Sequence, residues 1–248
     1  MEAVIIIPAR YASSRFPAKP LAKILGKPMI QWVVERCARA EVGPVLVATD
    51  DARIAATVEQ FGGKVAMTRA DHANGTSRIA EVAASLDAPY IINIQGDEPA
   101  IDPRNIREVL NLLKADDQPE MATLAEPLSD PEWVRNPNIV KVVCAGNGNA
   151  LYFSRAAIPA LHQIEAIPQP SPYLKHVGIY GYRRDFLFRY NEHPPVLLEK
   201  LESLEQLRAL DMGARIRVGI SHFPSAGVDV PDDIARAERL LIALGEKA

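Results

Sequence analysis

Apolar and polar positions in the first half of the chain follow a strand-then-helix rhythm. Val4 to Ile7 is an unbroken β-branched run, the pattern of a strand covered on both faces in a parallel sheet, and Pro8 is expected to end it by removing a ladder donor. Ile30, Val33, Val34 and Cys37 then recur at helical spacing, which predicts a helix over Pro28 to Ala40 with the proline near its first turn. Val45 to Ala48 reads as a second buried strand. Asp50 or Asp51 can cap a helix running to Phe61, and Gly62-Gly63 stops it before a short strand at Val65 to Met67. Ile79, Val82, Ala83 and Leu86 mark a helix beginning near Thr76 or Ser77. Tyr90 to Ile94 is a further strand, and Ile106, Val109, Leu110 and Leu113 place a helix over Pro103 to Ala115. Such βαβ alternation with short connections predicts an α/β fold with a mostly parallel central sheet and helices on both faces.

The second half carries a different pattern. Strands are expected at Met121 to Leu124, Ile139 to Cys144 and Leu151 to Ser154, the last two joined as a hairpin through Gly146-Asn147-Gly148-Asn149. Ala156 to Pro172 holds four prolines and little periodicity and reads as an extended loop. Strand alternation resumes at His176 to Tyr182. Leu197, Leu201, Leu204, Leu207 and Leu210 fit the packing stripe of one helix from about Pro195 to Gly213, Ile216 to Ile220 is a strand, and Asp232 or Asp233 opens a closing helix.

Composition narrows the classes. The 248 residues carry a formal charge of −3, so there is no general basic field for nucleic acid, and a polyanion site would have to be local. No segment approaches the roughly 18 uninterrupted apolar residues that span a bilayer, and no signal peptide is visible, so a cytoplasmic protein without stable membrane insertion is expected. The two cysteines, Cys37 and Cys144, lack metal-ligand spacing and read as reduced core residues.

Candidate chemistry begins just past the first strand, where Arg10, Arg15 and Lys19 are interleaved with Ser13 and Ser14. In open α/β sheets ligands bind at strand carboxyl ends, so this is either a phosphate-binding loop or only a solvated basic one. No Walker loop, no GxGxxG after a strand, no GxSxG elbow and no histidine pair with zinc spacing competes with it. Asp97, delivered by the strand at Tyr90 to Ile94, and Asp229, in the turn Gly227-Val228-Asp229, supply two hard carboxylates. Cations together with two carboxylates suggest a polyphosphate and Mg²⁺, although each aspartate alone also suits a turn or a helix cap.

At these residues the chain resembles a known family. VIIIPARYASSRFPAKPL, TRADHANGTSR, INIQGDEP, LYFSRAAIP, KHVGIYGYR, LESLEQLRAL and GVDVPDD occur in the order seen in 3-deoxy-manno-octulosonate cytidylyltransferases, the CMP-Kdo synthetases. The resemblance runs from Val4 to the last helix. It implies a Rossmann-like sugar nucleotidyltransferase fold in one domain, with about 1–118 as the nucleotide-binding half and about 119–248 as a β-rich half for the sugar acid and dimerisation. It also implies the reaction of CTP with Kdo to give CMP-Kdo and pyrophosphate in lipopolysaccharide assembly, Mg²⁺, and a homodimer.

Carried over by motif, Arg10, Arg15, Lys19 and Asp97 would be the catalytic residues. Pro8, Ala9, Ser13, Ser14 and Arg78 would join the three cations in holding the nucleotide, and Asp97 and Asp229 would bind Mg²⁺. Gln95, His176, Tyr180, Glu205 and Gln206 would line the sugar-acid pocket. Simpler roles stand beside these: His176 and Tyr180 could only pack, Glu205 could be a solvated helix charge, and Arg78 could pair with Glu81 one turn on. Two departures from the family pattern stand out. Ala18 replaces a usual glycine, which argues against a positive φ there, and ALHQIEA follows Pro159 where many members place an Arg-Asp pair.

Three rival readings bound the expectation. A relative activating 8-amino-Kdo or sialic acid would differ only in pocket residues. A non-catalytic nucleotide-binding relative would have no need of both metal carboxylates. A glycosyltransferase on the same fold would want a DxD-like acid pair, which Asp97-Glu98-Pro99 does not supply.

Overall fold

The computed structural model describes residues 1–12, 16–115, 117–162 and 166–247, which form two compact units, one of Met1–Leu110 with Phe223–Ala248 and the other of Asn111–His222. In the first unit β1 (Ala3–Ala9) leads through a 3₁₀ turn at Lys19–Leu21 to the small ribbon of β2 (Lys23–Ile24) and β3 (Lys27–Pro28), then to α1 (Met29–Ala38). β4 (Val45–Thr49), α2 (Ala52–Gln60), β5 (Lys64–Met67), α3 (Gly75–Ala84), β6 (Tyr90–Ile94) and α4 (Pro103–Leu113) follow. β1 pairs in parallel with β4 on one side and β6 on the other, and β4 pairs in parallel with β5, so the strands run β6, β1, β4, β5 across this unit. Ala3 to Ile7 are fully buried, as the unbroken apolar run requires.

Pro8 does not end β1. It pairs with Ala48 of β4, whereas the ladder to β6 stops at Ile6 with Asn93, so the strand continues through Ala9 past the end of its second neighbour. A proline is tolerated in a strand where one flank no longer asks for a donor. Asp51 is the cap of α2, accepting the Arg53 N–H, and Asn74 caps α3 by accepting the Ser77 N–H.

In the second unit the elements are β7 (Met121–Pro127), α5 (Pro131–Arg135), β8 (Lys141–Cys144), β9 (Ala150–Ser154), β10 (Leu174–Arg183), α6 (Arg184–Glu192), α7 (Leu197–Glu202), α8 (Gln206–Asp211) and β11 (Ile216–Ile220). β10 pairs antiparallel with β7 and β8, β8 forms the expected hairpin with β9, and β11 runs parallel to β7. α6 escaped the periodicity reading because Phe186, Leu187 and Tyr190, its buried positions, are embedded among charged residues.

The single helix expected from Pro195 to Gly213 is two. Ser203 takes a left-handed conformation with φ 52°, ending α7 before α8 begins. Glu199 and Arg208 explain the break: they form a buried ion pair, with Nε of Arg208 2.8 Å from Glu199 Oε2 at a sequence separation of 9. On one continuous helix that separation would turn them about 180° apart. The leucine stripe is correspondingly split, with Leu204 and Leu207 buried and Leu197 and Leu201 exposed.

The closing segment also departs from expectation, because residues 223–248 belong to the first unit and not to the second half of the chain. Val228 and, on α9 (Ile234–Ala243), Ala237 and Leu241 are buried in one cluster with Ile24, Met29, Trp32 and Ala100. Burying a side chain such as Leu241 or Val228 contributes about 1.5–3 kcal/mol, enough to hold the segment there. Ala18 has φ 57° and ψ 21°, so the left-handed conformation is kept without a glycine.

Candidate functional site

The order of strands in the first unit locates the site. The chain leaves β1 for β4 and β5 on one side and later returns to β6 on the other, so the loops after β1 and β6 part at the strand carboxyl ends and open a crevice. A cavity of ≈ 360 Å³ lies there, lined by Pro8, Ala9, Arg10, Ala12, Lys19, Pro20, Gly75, Gln95, Gly96 and Asp97. Gly96 permits the two loops to approach, since a Cβ on it would stand 3.0 Å from the Pro8 carbonyl oxygen.

Lys19, at the start of the 3₁₀ turn, donates to Asp97 Oδ2 at 2.5 Å and to the Val228 carbonyl at 2.9 Å, and its ammonium stands 3.7 Å from Asp229 Oδ1. Three oxygens from two distant turns thus surround one cation. The turns are locked to each other by the Val228 N–H, which donates to the Asp97 carbonyl at 2.9 Å. Val228 is buried in the core cluster, and the Asp233 carboxylate accepts the N–H groups of Asp229 and Val230 at 2.8 and 3.1 Å. The Asp229 segment is therefore both a turn before a helix and a part of this constellation. Gly227 lies close to the Glu98 carboxylate, and a Cβ there would come within 2.9 Å of Glu98 Oε1 and oblige that side chain to shift.

Arg10 lines the cavity and is exposed. Ser13, Ser14 and Arg15 lie outside the described residues. Arg78 is 1% exposed; it pairs with Asp50 Oδ1 at 3.0 Å and donates to Thr68 Oγ1, not to Glu81. Its Nε and Nη2 are buried without a hydrogen-bond partner among the described residues, so the guanidinium retains two unused donor nitrogens. Glu81 instead meets His72 Nε2 and the Arg69 N–H, tying the start of the DHANGTSR segment to α3.

Gln95 falls in the first unit's cavity beside Asp97, whereas His176, Tyr180, Glu205 and Gln206 belong to the second unit. His176 and Tyr180 stand side by side on β10 with ring centroids 5.3 Å apart, and the Phe153 ring meets His176 edge-on at 5.2 Å. Tyr182 and Tyr190 extend the row, and the Tyr190 hydroxyl donates to the Glu205 carbonyl at 2.9 Å. Although part of His176 remains open to solvent, burial of the imidazole lowers its pKa to about 3, so the ring is neutral at pH 7. Thr123 identifies the tautomer. Its hydroxyl donates to the Ile179 carbonyl at 2.7 Å and therefore accepts from His176 Nε2 at 3.0 Å, leaving Nδ1 as an acceptor. Burial, with the Glu205 charge second, raises the Tyr180 pKa well above its ordinary value and keeps that hydroxyl a donor. Gln206 is buried, with Nε2 unpaired among the described residues.

The sequence profile of the Cytidylyltransferase family matches residues 4–216. The chain belongs to that family. A 3-deoxy-manno-octulosonate cytidylyltransferase of Syntrophotalea carbinolica is 51% identical over 250 residues, covering 98% of this chain and 100% of that protein. One of Vibrio parahaemolyticus is 48% identical over 252 residues, covering 98% and 99%. A solved CMP:2-keto-3-deoxy-manno-octonic acid synthetase complexed with CTP superposes with a TM-score of 0.91 at 46% identity, covering 98% of this chain and 100% of that one. The fold is that of the Rossmann-like nucleotidyltransferases, and the protein is a nucleotidyltransferase enzyme.

Several groups of this cytidylyltransferase's site carried no signal in the sequence. The Val228 carbonyl is backbone, and Thr123 is one threonine amid the apolar run from Met121 to Ala125 of β7. Ala12, Pro20 and Gly75 enter the cavity only because the loops fold toward one another. Among the described residues, no cluster of three or more His, Cys, Asp or Glu side chains is placed to hold a metal, and no helix is long and apolar enough to cross a membrane. The two carboxylates and the carbonyl around Lys19 are hard oxygen donors already gathered about a cation, which fits an ion such as Mg²⁺ that uses one or two carboxylates and completes its shell with phosphate and water.

Proposed function

We propose that the protein transfers CMP from CTP to 3-deoxy-D-manno-octulosonate (Kdo), giving CMP-Kdo and pyrophosphate for lipopolysaccharide synthesis. The observation that carries this reading is the Lys19, Asp97 and Asp229 constellation at the mouth of a cavity that Arg10 also lines. Family membership and the CTP named in the similar solved structure support it.

In this reading the sugar's anomeric hydroxyl attacks the α-phosphate in line, and charge accumulates on the departing pyrophosphate. Lys19 and Arg10 offset that charge, Lys19 from a position that Asp97 and the Val228 carbonyl fix before the substrate arrives, which is where electrostatic catalysis is most effective. Arg15, Ser13 and Ser14 belong to the same loop by sequence. Arg78 offers its two unused donor nitrogens to the nucleotide from within α3. Asp97 and Asp229 would hold Mg²⁺, which when bound screens the phosphate charge and lowers the pKa of the attacking hydroxyl. Pro8, Ala9 and Gly75 wall the cavity, and Gln95 offers an amide beside Asp97.

The second unit carries groups suited to a sugar acid. His176 Nδ1 accepts a sugar hydroxyl, the Tyr180 hydroxyl donates, and the unpaired Gln206 Nε2 donates to the carboxylate, with Glu205 beside them. A homodimer is supported by the apolar face of α7, where Leu197, Leu198 and Leu201 are 70%, 42% and 71% exposed. In this reading the reaction runs in the cytoplasm, with small molecules as substrates.

The test is incubation with CTP, Mg²⁺ and a panel of 3-deoxy sugar acids that includes Kdo, 8-amino-Kdo and sialic acid, with pyrophosphate and CMP-sugar measured. Turnover with Kdo is the expected result. A folded sample that binds CTP but turns over no acid would refute the reading.

A further inference from the structure

Arg10 and Ala12 line the first unit's cavity, whereas the ring of Tyr11 between them lies beneath the guanidinium of Arg53, whose central carbon stands 3.3 Å from the ring centroid. Neighbouring side chains of this segment therefore serve different purposes. Arg10 faces the cavity, and Tyr11 faces a support.

That support is built from three successive contacts. Asp51 grips the guanidinium with both oxygens, Oδ1 accepting from Arg53 Nε at 3.0 Å and Oδ2 from Nη2 at 2.6 Å, so the plane laid over Tyr11 is held at two points. Asp51 Oδ1 also accepts the Arg53 backbone N–H at 2.9 Å as the cap of α2. The Asp51 N–H donates to Thr49 Oγ1 at 3.2 Å, and Thr49 is the last residue of β4, in register with Ala9 at the end of β1. Tyr11 is thus referenced to the sheet by a route independent of its own strand. Its carbonyl accepts the Ala18 N–H at 3.0 Å, which brings the residue before Lys19 back to the residue after Arg10.

We propose that Tyr11 and Arg53 are positioning residues for phosphate binding: their stack, with the Ala18 N–H bond to the Tyr11 carbonyl, sets the places of Arg10 and Lys19 and so presents these two cations to the polyphosphate already arranged. Neither residue needs to touch the substrate. Side chains positioned before binding lose less freedom on binding, so the stack acts on affinity for the nucleotide and not on the sugar acid. The inference rests on the function proposed above only for the identity of the nucleotide.

The experiment measures KM for CTP, KM for the sugar acid and calorimetric affinity for tripolyphosphate in Tyr11→Phe, Tyr11→Ala, Arg53→Lys and Arg53→Ala, with thermal melts to confirm folding. An exposed cation–π contact corresponds to about two- to fivefold in affinity. Tyr11→Ala and Arg53→Ala are expected to raise KM for CTP and weaken tripolyphosphate by that factor with KM for the sugar acid unchanged, while Tyr11→Phe keeps the ring and behaves as wild type. Arg53→Lys separates stacking from charge, because lysine keeps the charge but not the planar, two-point grip. It is expected to match Arg53→Ala. Wild-type affinity in Arg53→Lys or in Tyr11→Ala would overturn the proposal. If the wild-type enzyme turned over no CTP, the functional reading would fail by itself, and the tripolyphosphate series would still decide the role of the stack.

Discussion

Lys19 Nζ stands 2.5 Å from Asp97 Oδ2 and 3.7 Å from Asp229 Oδ1, so one ammonium holds together carboxylates from two turns that the chain makes far apart. The side chain of Lys19 is 14% exposed and that of Asp229 59%, which leaves the carboxylates reachable while the lysine is largely enclosed. Without substrate, the lysine occupies the place a metal would compete for.

Lys19→Met removes this competitor. Two carboxylates then face each other with no cation, and Mg²⁺ is expected to bind the nucleotide-free variant more tightly than wild type, raising its melting temperature by linkage. Turnover falls by about 10²–10³, the usual consequence of losing a preorganised group that stabilises developing charge. Calorimetry with Mg²⁺ alone and a thermal shift series check the first part. Equal or weaker Mg²⁺ binding in the variant would remove Asp97 and Asp229 as the metal pair.

Asp97→Asn and Asp229→Asn separate ligand from turn. Both amides still fit turns, so folding is expected to survive, while kcat falls by about 10²-fold or more in each. Near-normal turnover in either variant, measured by pyrophosphate release, would return that residue to a structural role.

Ala18→Gly is expected to stabilise the protein. Ala18 sits at φ 57° because Tyr11, Lys19 and Leu21 fix its surroundings, its N–H donating to the Tyr11 carbonyl and its own carbonyl accepting the Leu21 N–H. The left-handed conformation costs an alanine about 1 kcal/mol that glycine does not incur, partly offset by the greater freedom of an unfolded glycine chain. Denaturant unfolding should show a net gain of about 0.5 kcal/mol at unchanged m-value.

His176 supplies a pH test. Its pKa is lowered to about 3 by burial, whereas an unfolded histidine titrates near 6.5. The folded state therefore binds fewer protons than the unfolded one between those values. The stability contribution of the neutral ring is complete above about pH 6.5 and is lost progressively as pH falls toward about 3. Denaturation curves of wild type and His176→Gln are expected to converge in pH dependence above about 6.5 and to diverge below it, with wild type falling more steeply. A break near pH 6.5 in wild-type KM for the sugar acid that vanishes in the variant would contradict a neutral His176.

Lys141 is fully buried and donates to the carbonyls of Asn136, Ile139 and Arg155 at 3.0, 2.6 and 2.6 Å. Lys141→Met keeps most of the length of the side chain but takes that donor from the carbonyls of Ile139 and Arg155, while Asn136 keeps the Ile139 N–H. A loss of about 2–4 kcal/mol in unfolding free energy is expected, because unpaired buried acceptors retain their desolvation cost.

Periodicity determined much of this fold. Val4 to Ile7 is the apolar run that suits a strand covered on both faces of a parallel sheet, and a cap at Asp50 or Asp51 and the strand at Tyr90–Ile94 follow from local chemistry, the structure choosing Asp51. Residue types also revealed the cations after β1 and the acids at 97 and 229, and the motif order identified their family. What the sequence left open depends on contacts between distant segments. The buried pair of Glu199 and Arg208 breaks a leucine-rich stretch that would otherwise read as one helix, and the core around Trp32 draws residues 223–248 back to the first unit. Only that return, seating Val228 in the core, brings Asp229 and the Val228 carbonyl to Lys19. Local preference extends a few residues along a chain, and the meeting of three oxygens about one ammonium is decided by tertiary packing.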